Sequence, residues 1–164
     1  MNDMPHAAPV LDALLLLAAP AAARPALTEA DARTLAARQS ERLNAGDLDG
    51  YLATFAPSAV FTQQALGSNN QVIPYGQASL AEARAQLSRT LAKSQVQEAV
   101  EVRRVAIATS GAGGAFRAVV RTRVATGGQV RESCAERLST FARVRGALRV
   151  LAQTDTLVRC RRAA

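Results

Sequence analysis

Few side chains in this 164-residue chain could do chemistry. His6 is the only histidine. It lies in an N-terminal stretch with the character of a leader, so imidazole catalysis and histidine-held metal are effectively excluded. Asp155, near the end of the chain, is the best remaining carboxylate for taking a proton, with Arg137 or Gln63 as conceivable partners. A lone aspartate on a last strand is, however, more often solvated or bonded to backbone. Glu132 and Glu136 share one face of a strand beside Arg131 and Arg137, a pattern that suits cross-strand ion pairs on a wet surface better than an acid–base couple.

The remaining signals read more simply as structure. Gly111–Gly114 lacks the residue order of a phosphate-binding loop and precedes a strand, so it is expected to be a hairpin turn. Arg117, Arg121 and Arg123 recur with period two but without interleaved aromatics, which predicts a solvated sheet face and no nucleic-acid partner. Cys134 and Cys160 are the only cysteines, an even pair that would bridge in an exported protein. A tight turn at Arg145-Gly146 would set Cys134 opposite about Leu157, two or three places short of Cys160, so the bridge needs a bulge or a bent tail.

The elements that must position these groups follow from the pattern. Leu14–Leu17, Ala18, Ala19 and Pro20 lead into Ala21-Ala22-Ala23, an apolar run and cleavage signal that mark residues 1–23 as a signal peptide and 24–164 as one domain. The run is far shorter than the roughly 20 residues of a membrane span. The expected location is therefore secreted or periplasmic, or cytoplasmic if residues 1–23 are not a signal. Net charge is +7, carried almost wholly by arginine because Lys93 is the only lysine. Those arginines are dispersed rather than clustered. Hydrophobic residues make up 49% but aromatics only 4%, so the core is built from Leu, Val and Ala, and each aromatic is expected to matter.

Thr28 caps a first helix with Glu29 and Asp31 in its first turn, and Ala32, Leu35, Ala36, Gln39 and Leu43 form its buried stripe. Asn44-Ala45-Gly46 ends it, and Asp47 starts a short second helix burying Leu48, Tyr51, Leu52 and Phe55 before Pro57. Ala59–Thr62 reads as a strand, and Val72, Ile73 and Tyr75 as another. Ser79 caps a third helix through about Lys93. Thereafter the period is two, with a phase change at Arg103-Arg104 that predicts a β-bulge and turns at Gly111–Gly114, Gly127-Gly128 and Arg145-Gly146. Helices first and a meander afterwards predict an α+β fold.

The order Asn44-Ala45-Gly46-Asp47, Tyr51-Leu52, Phe55-Ala56 and Ala59-Val60-Phe61, with Ser139–Arg143, Gly146 and Leu148–Val150 at the end, resembles the nuclear transport factor 2-like superfamily, which includes SnoaL-like cyclases and ketosteroid isomerase. The resemblance covers about residues 28–156. It implies a cone in which a curved antiparallel sheet wraps around three helices and encloses an apolar pocket. Ketosteroid isomerase keeps a tyrosine, an acidic base and a protonated acid in that pocket. The matching positions here carry Gln39, Gln63 and Arg137, so that isomerisation is not expected. Other enzymes of this architecture activate water with His–Asp or Asp–Arg sets.

The cone hosts binders and assembly modules as well as enzymes. The expectation is an exported, non-catalytic domain that binds a small hydrophobic ligand or a protein, needs no cofactor or metal, and dimerises through the outer sheet face. Tyr51, Phe55, Phe61, Gln63, Tyr75 and Arg137 are the expected pocket residues, with Gln63 and Arg137 orienting a carbonyl or carboxylate. The alternative is a SnoaL-like enzyme for a small hydrophobic substrate with Asp155 as its base.

Overall fold

A computed structural model describes residues 25–160, so the expected leader lies outside the described residues. Helix α1 (Glu29–Asn44) begins at Thr28, whose Oγ1 accepts the Asp31 N–H (3.2 Å) while the Asp31 carboxylate accepts the Thr28 N–H (2.8 Å). This reciprocal cap satisfies two N–H groups that the first turn cannot. Its buried residues are the expected Ala32, Leu35, Ala36, Gln39 and Leu43. Gly46 turns the chain at φ +70°, and the Asp47 carboxylate accepts the Gly50 N–H to start α2 (Leu48–Leu52).

Strand β1 (Phe55–Leu66) starts earlier and ends later than expected. Phe55 is a strand residue paired with Val150, not the last residue of α2. Pro57 falls inside the break between Phe55 and Val60 in the β1 pairing, where its missing N–H leaves no ladder bond unmade. A hairpin through Gly67–Gln71 returns the chain along β2 (Val72–Ser79). Helix α3 (Leu80–Leu91) carries the same reciprocal cap, here Ser79 with Glu82. The chain then forms β3 (Gln95–Ile107), β4 (Gly113–Thr126), β5 (Gln129–Val144) and β6 (Ala147–Val158).

The six strands form one sheet in the order β2-β1-β6-β5-β4-β3. All neighbours are antiparallel except β1 with β6, so the sheet is mixed rather than purely antiparallel. That parallel pair arises because β6, reached after the meander, returns alongside β1 in the same direction. Four register breaks bend the sheet: at Phe55/Val60, Gln63/Gln64, Thr140/Phe141 and the expected Val102/Arg104. The concave face closes over α1, α2 and α3 around Leu35, Leu43, Leu52, Phe55, Phe116, Val120, Phe141 and Val150. Gly111 makes the β3–β4 turn at φ +67°, and a Cβ on Gly113 would meet the Phe141 carbonyl at 2.7 Å, so the glycines serve a turn and a close strand approach.

Cys134 and Cys160 form a disulfide with Cα atoms 5.1 Å apart. The register break at Thr140/Phe141 sets Cys134 opposite Val158, and the tail bends back to close the last two residues.

Candidate functional site

Period-two alternation places one set of side chains on the concave face, and strand register decides which of them become neighbours. Gln63 pairs with Gly76 on β2 and with Asp155 on β6; Asp155 pairs with Arg137 on β5, and Arg137 with Ala118 on β4. The next row runs Ala78, Phe61, Gln153, Ser139 and Phe116. Two rows of the sheet thus carry Gln63, Asp155, Arg137, Phe61 and Gln153 onto one surface. Tyr51 reaches it from α2, and Ala83, Gln86, Leu87 and Thr90 cover it from α3.

Between them lies a cavity of about 370 Å³. Leu43, Phe61, Leu87, Val96 and Val124 form apolar walls. The cavity is not apolar throughout, because Glu98, Arg137 and Asp155 form an ionic floor. The Arg137 guanidinium gives two hydrogen bonds to Asp155 (Nε–Oδ1 2.7 Å, Nη2–Oδ2 3.0 Å) and two to Glu98 (Nη1–Oε1 3.0 Å, Nη2–Oε2 2.9 Å). Both forks are bidentate, the strongest geometry available to this pair of groups. The Arg137 and Glu98 side chains are 5% and 3% exposed, and Asp155 is 25% exposed, so Asp155 is the member that faces the cavity most openly. Four of the five guanidinium N–H groups are occupied, leaving one for anything else.

Glu98 was not among the expected residues. Extending the inward alternation of Val100 and Val102 back two steps places Glu98 beside Val96 in an apolar row, which is the signal that would have found it. Its backbone is pinned from α1: the Asn44 side chain donates to the Glu98 carbonyl (2.9 Å) and accepts its N–H (2.6 Å). Since β3 is an edge of the sheet, this amide does for one residue what a neighbouring strand would do. The Asn44 of the helix-ending turn therefore sets the height of a charged floor residue.

Burial drives the Tyr51 phenol well above its ordinary range. Arg137 pulls it back, Glu98 and Asp155 push it further up, and its neighbour Gln153 lowers it slightly. Tyr51 is a neutral hydroxyl under all ordinary conditions. For Arg137, burial works against the charge, but Glu98 and Asp155 outweigh it and hold the guanidinium pKa above its usual value. Gln153 donates to Asp155 Oδ2 (3.1 Å), while its Oε1 is buried without a hydrogen-bond partner.

Of the expected pocket residues, Tyr51, Phe61, Gln63 and Arg137 line the cavity, together with Asp155. Phe55 lies beneath it, 1% exposed, its ring 4.8 Å from that of Phe61 and 5.2 Å from that of Tyr51. Tyr75 stands on β2 at 54% exposure and does not line the cavity. Gln39 is buried away from it and donates to Thr54 Oγ1 (3.1 Å). Glu132 approaches Arg121 at 3.7 Å at an exposed site. Glu132 also lies close to Cys134 and Cys160, but the disulfide engages both sulfurs, so they offer no thiolate to a metal. A second, more open groove of about 500 Å³ runs past Asp31, Arg38, Arg42 and Leu148; its Asp31 and Arg42 are engaged in helix-end contacts. It holds no buried polar cluster comparable to the floor of the first cavity.

Chemically, the floor offers hydrogen-bond acceptors, one spare guanidinium N–H, two amides and a neutral phenol. It has no nucleophile with an adjacent free base, since each carboxylate is held by Arg137.

No family model matches the chain, and no curated protein does. Its fold is shared with solved structures of low sequence identity. A ketosteroid isomerase-like protein from Erwinia carotovora atroseptica aligns at TM-score 0.60 and 13% identity over 78% of this chain and 94% of that one. The beta subunit of the benzoate 1,2-dioxygenase from Burkholderia mallei aligns at 0.63 and 14% over 82% and 93%. A putative calcium/calmodulin dependent protein kinase II association domain from Xanthomonas campestris aligns at 0.61 and 17% over 84% and 93%. At such identities the likeness concerns the fold alone. The chain has the cone fold of the nuclear transport factor 2-like proteins, whose members range from enzymes to assembly domains.

Proposed function

We propose that this nuclear transport factor 2-like cone is a small-molecule binding domain, non-catalytic, with the cavity above Glu98, Arg137 and Asp155 as its site. The observation that carries the reading is an ionic cluster, held together by the two bidentate forks of Arg137, beneath a space that no side chain fills. Its volume lies at the low end of the roughly 300–1,000 Å³ of ligand pockets, which suits a compact, largely apolar molecule. The disulfide supports a place outside the reducing cytoplasm, and the apolar outer-face residues Val119 and Leu151 support a homodimer through the sheet. N-terminal sequencing of secreted protein and sedimentation of the purified chain check those two points; an intact Met1 and a monomer at high concentration would sink them.

Thermal-shift and native mass-spectrometric screening of small alcohols, ketones and amines tests the binding reading. A saturable rise in melting temperature with a one-to-one bound species is expected, and no bound species across the panel contradicts it.

A second reading is favoured by one observation: Asp155 faces the cavity and is oriented by a bidentate arginine. In a SnoaL-like enzyme of the water-adding kind, Asp155 would take a proton from water as its oxygen attacked an epoxide carbon; the ring C–O bond would break, and its oxygen would take a proton from solvent as Asp155 released its own. Turnover of a small epoxide to its diol, abolished in Asp155→Asn, would support this. No turnover by the folded chain would leave the binding reading alone.

A further inference from the structure

The floor of the cavity has an excess of acceptors and of negative charge, and this constrains the head group of any molecule seated on it. Among the residues lining the cavity, Arg137 is the only cation and Glu98 and Asp155 are the only acids. Two ionised carboxylates against one guanidinium leave one net negative charge. The two carboxylates offer roughly eight acceptor sites. Five hydrogen bonds reach them, four from Arg137 and one from Gln153. Gln153 is 5% exposed, lines the cavity, and keeps its Oε1 without a partner. The amide thus spends its donor on Asp155 and adds no competing cation to the floor.

Resting on the binding reading above, we propose that the ligand is a small organic cation: a protonated primary or secondary amine on a compact apolar body, its N–H groups directed at Asp155. Asp155 is the more exposed of the two acids, 25% against 3% for Glu98, so the excess negative charge is presented to the cavity there. The faces of Tyr51 and Phe61 on the cavity wall suit a cation as well as an apolar body. A carboxylate ligand would meet the two acids with only one guanidinium N–H to hold it.

Two opposing charges are outweighed. The chain carries +7, but salt screens that field over about 8 Å, whereas the floor acts at contact in a low-dielectric site. Arg131, opposite Val124 near the mouth, is exposed to solvent, which dampens its influence.

The test compares three probes of one shape, cyclohexylmethylamine, cyclohexylmethanol and cyclohexanecarboxylate, by calorimetric titration of the full chain at neutral pH. The amine is expected to bind at least about tenfold tighter than the alcohol, with the carboxylate weakest. In Asp155→Asn the amine-to-alcohol ratio is expected to fall towards one while alcohol binding persists. An alcohol that equals the amine in the wild-type chain, or a carboxylate that binds best, overturns the proposal without any variant. An amine preference unchanged in Asp155→Asn also overturns it. If no probe binds, the parent binding reading fails and this one with it, which differs visibly from binding without preference.

Discussion

Arg137 is charged and buried at once, and its surroundings show why. Burying a guanidinium costs several kcal/mol, and only two bidentate carboxylates make that tolerable. The cluster is thus mutually dependent. Arg137→Met is expected to destabilise the chain by about 3–5 kcal/mol, because it leaves Glu98 and Asp155 facing each other without a counter-ion. Urea unfolding measures this. An unchanged urea midpoint would show that the cluster adds no net stability. Of the two amides, Gln63 lines the cavity and Gln39 turns away from it to donate to Thr54 Oγ1.

Helix ends and strand register, rather than individual contacts, place these residues. The carboxylates of Asp31, Asp47 and Glu82 are held below their ordinary values: Asp31 first by the Thr28 hydroxyl, Asp47 first by the Gly50 N–H, and Glu82 first by the Ser79 N–H. Groups depressed in the folded state stabilise it fully above their unfolded values of 3.8 for Asp and 4.5 for Glu. That contribution is lost as pH falls through the lower folded values. Urea midpoints should therefore drop between pH 5 and pH 3, in the range of carboxylate titration. Glu82→Gln should make that drop shallower; an identical acid profile for the variant would exclude the cap as a cause.

These elements were largely legible in the sequence. Capping residues, turn glycines and period-two alternation act locally, so Thr28, Asp47, Ser79 and the Arg103-Arg104 phase change pointed to structure that is present. The extent of β1 was not legible. Pro57 and the polar Gln63-Gln64 pair argue locally against a strand, and only pairing with β6 and β2 overrides them. The Glu98–Arg137–Asp155 cluster was legible only in part, because register between strands distant in sequence brings it together. Glu98 is one of several acids on a basic chain, and only its inward row and the Asn44 side chain on its backbone set it apart.

At the scale of the whole molecule, the cone is a sheet with two free edges, closed over three helices and fastened at its end by a disulfide. The bridge spans 26 residues. By loop-closure entropy it is worth about 3–4 kcal/mol, so Cys160→Ser or a reducing agent should lower stability by that order. An unchanged urea midpoint under reduction would show the tail to be dispensable. The register that creates the cavity lies in the strands rather than in the tail, so the reduced protein should still bind its ligand at temperatures where it stays folded.

If the space above the ionic floor receives a ligand, filling that space should abolish binding. Ala83 faces the cavity from α3. Calorimetric titration of cyclohexylmethylamine into the wild-type chain and into Ala83→Trp, with circular dichroism confirming that both are folded, is the decisive measurement. Saturable one-to-one binding to the wild type and none to the filled variant is expected. Equal binding to both, or none to the wild type, would contradict it.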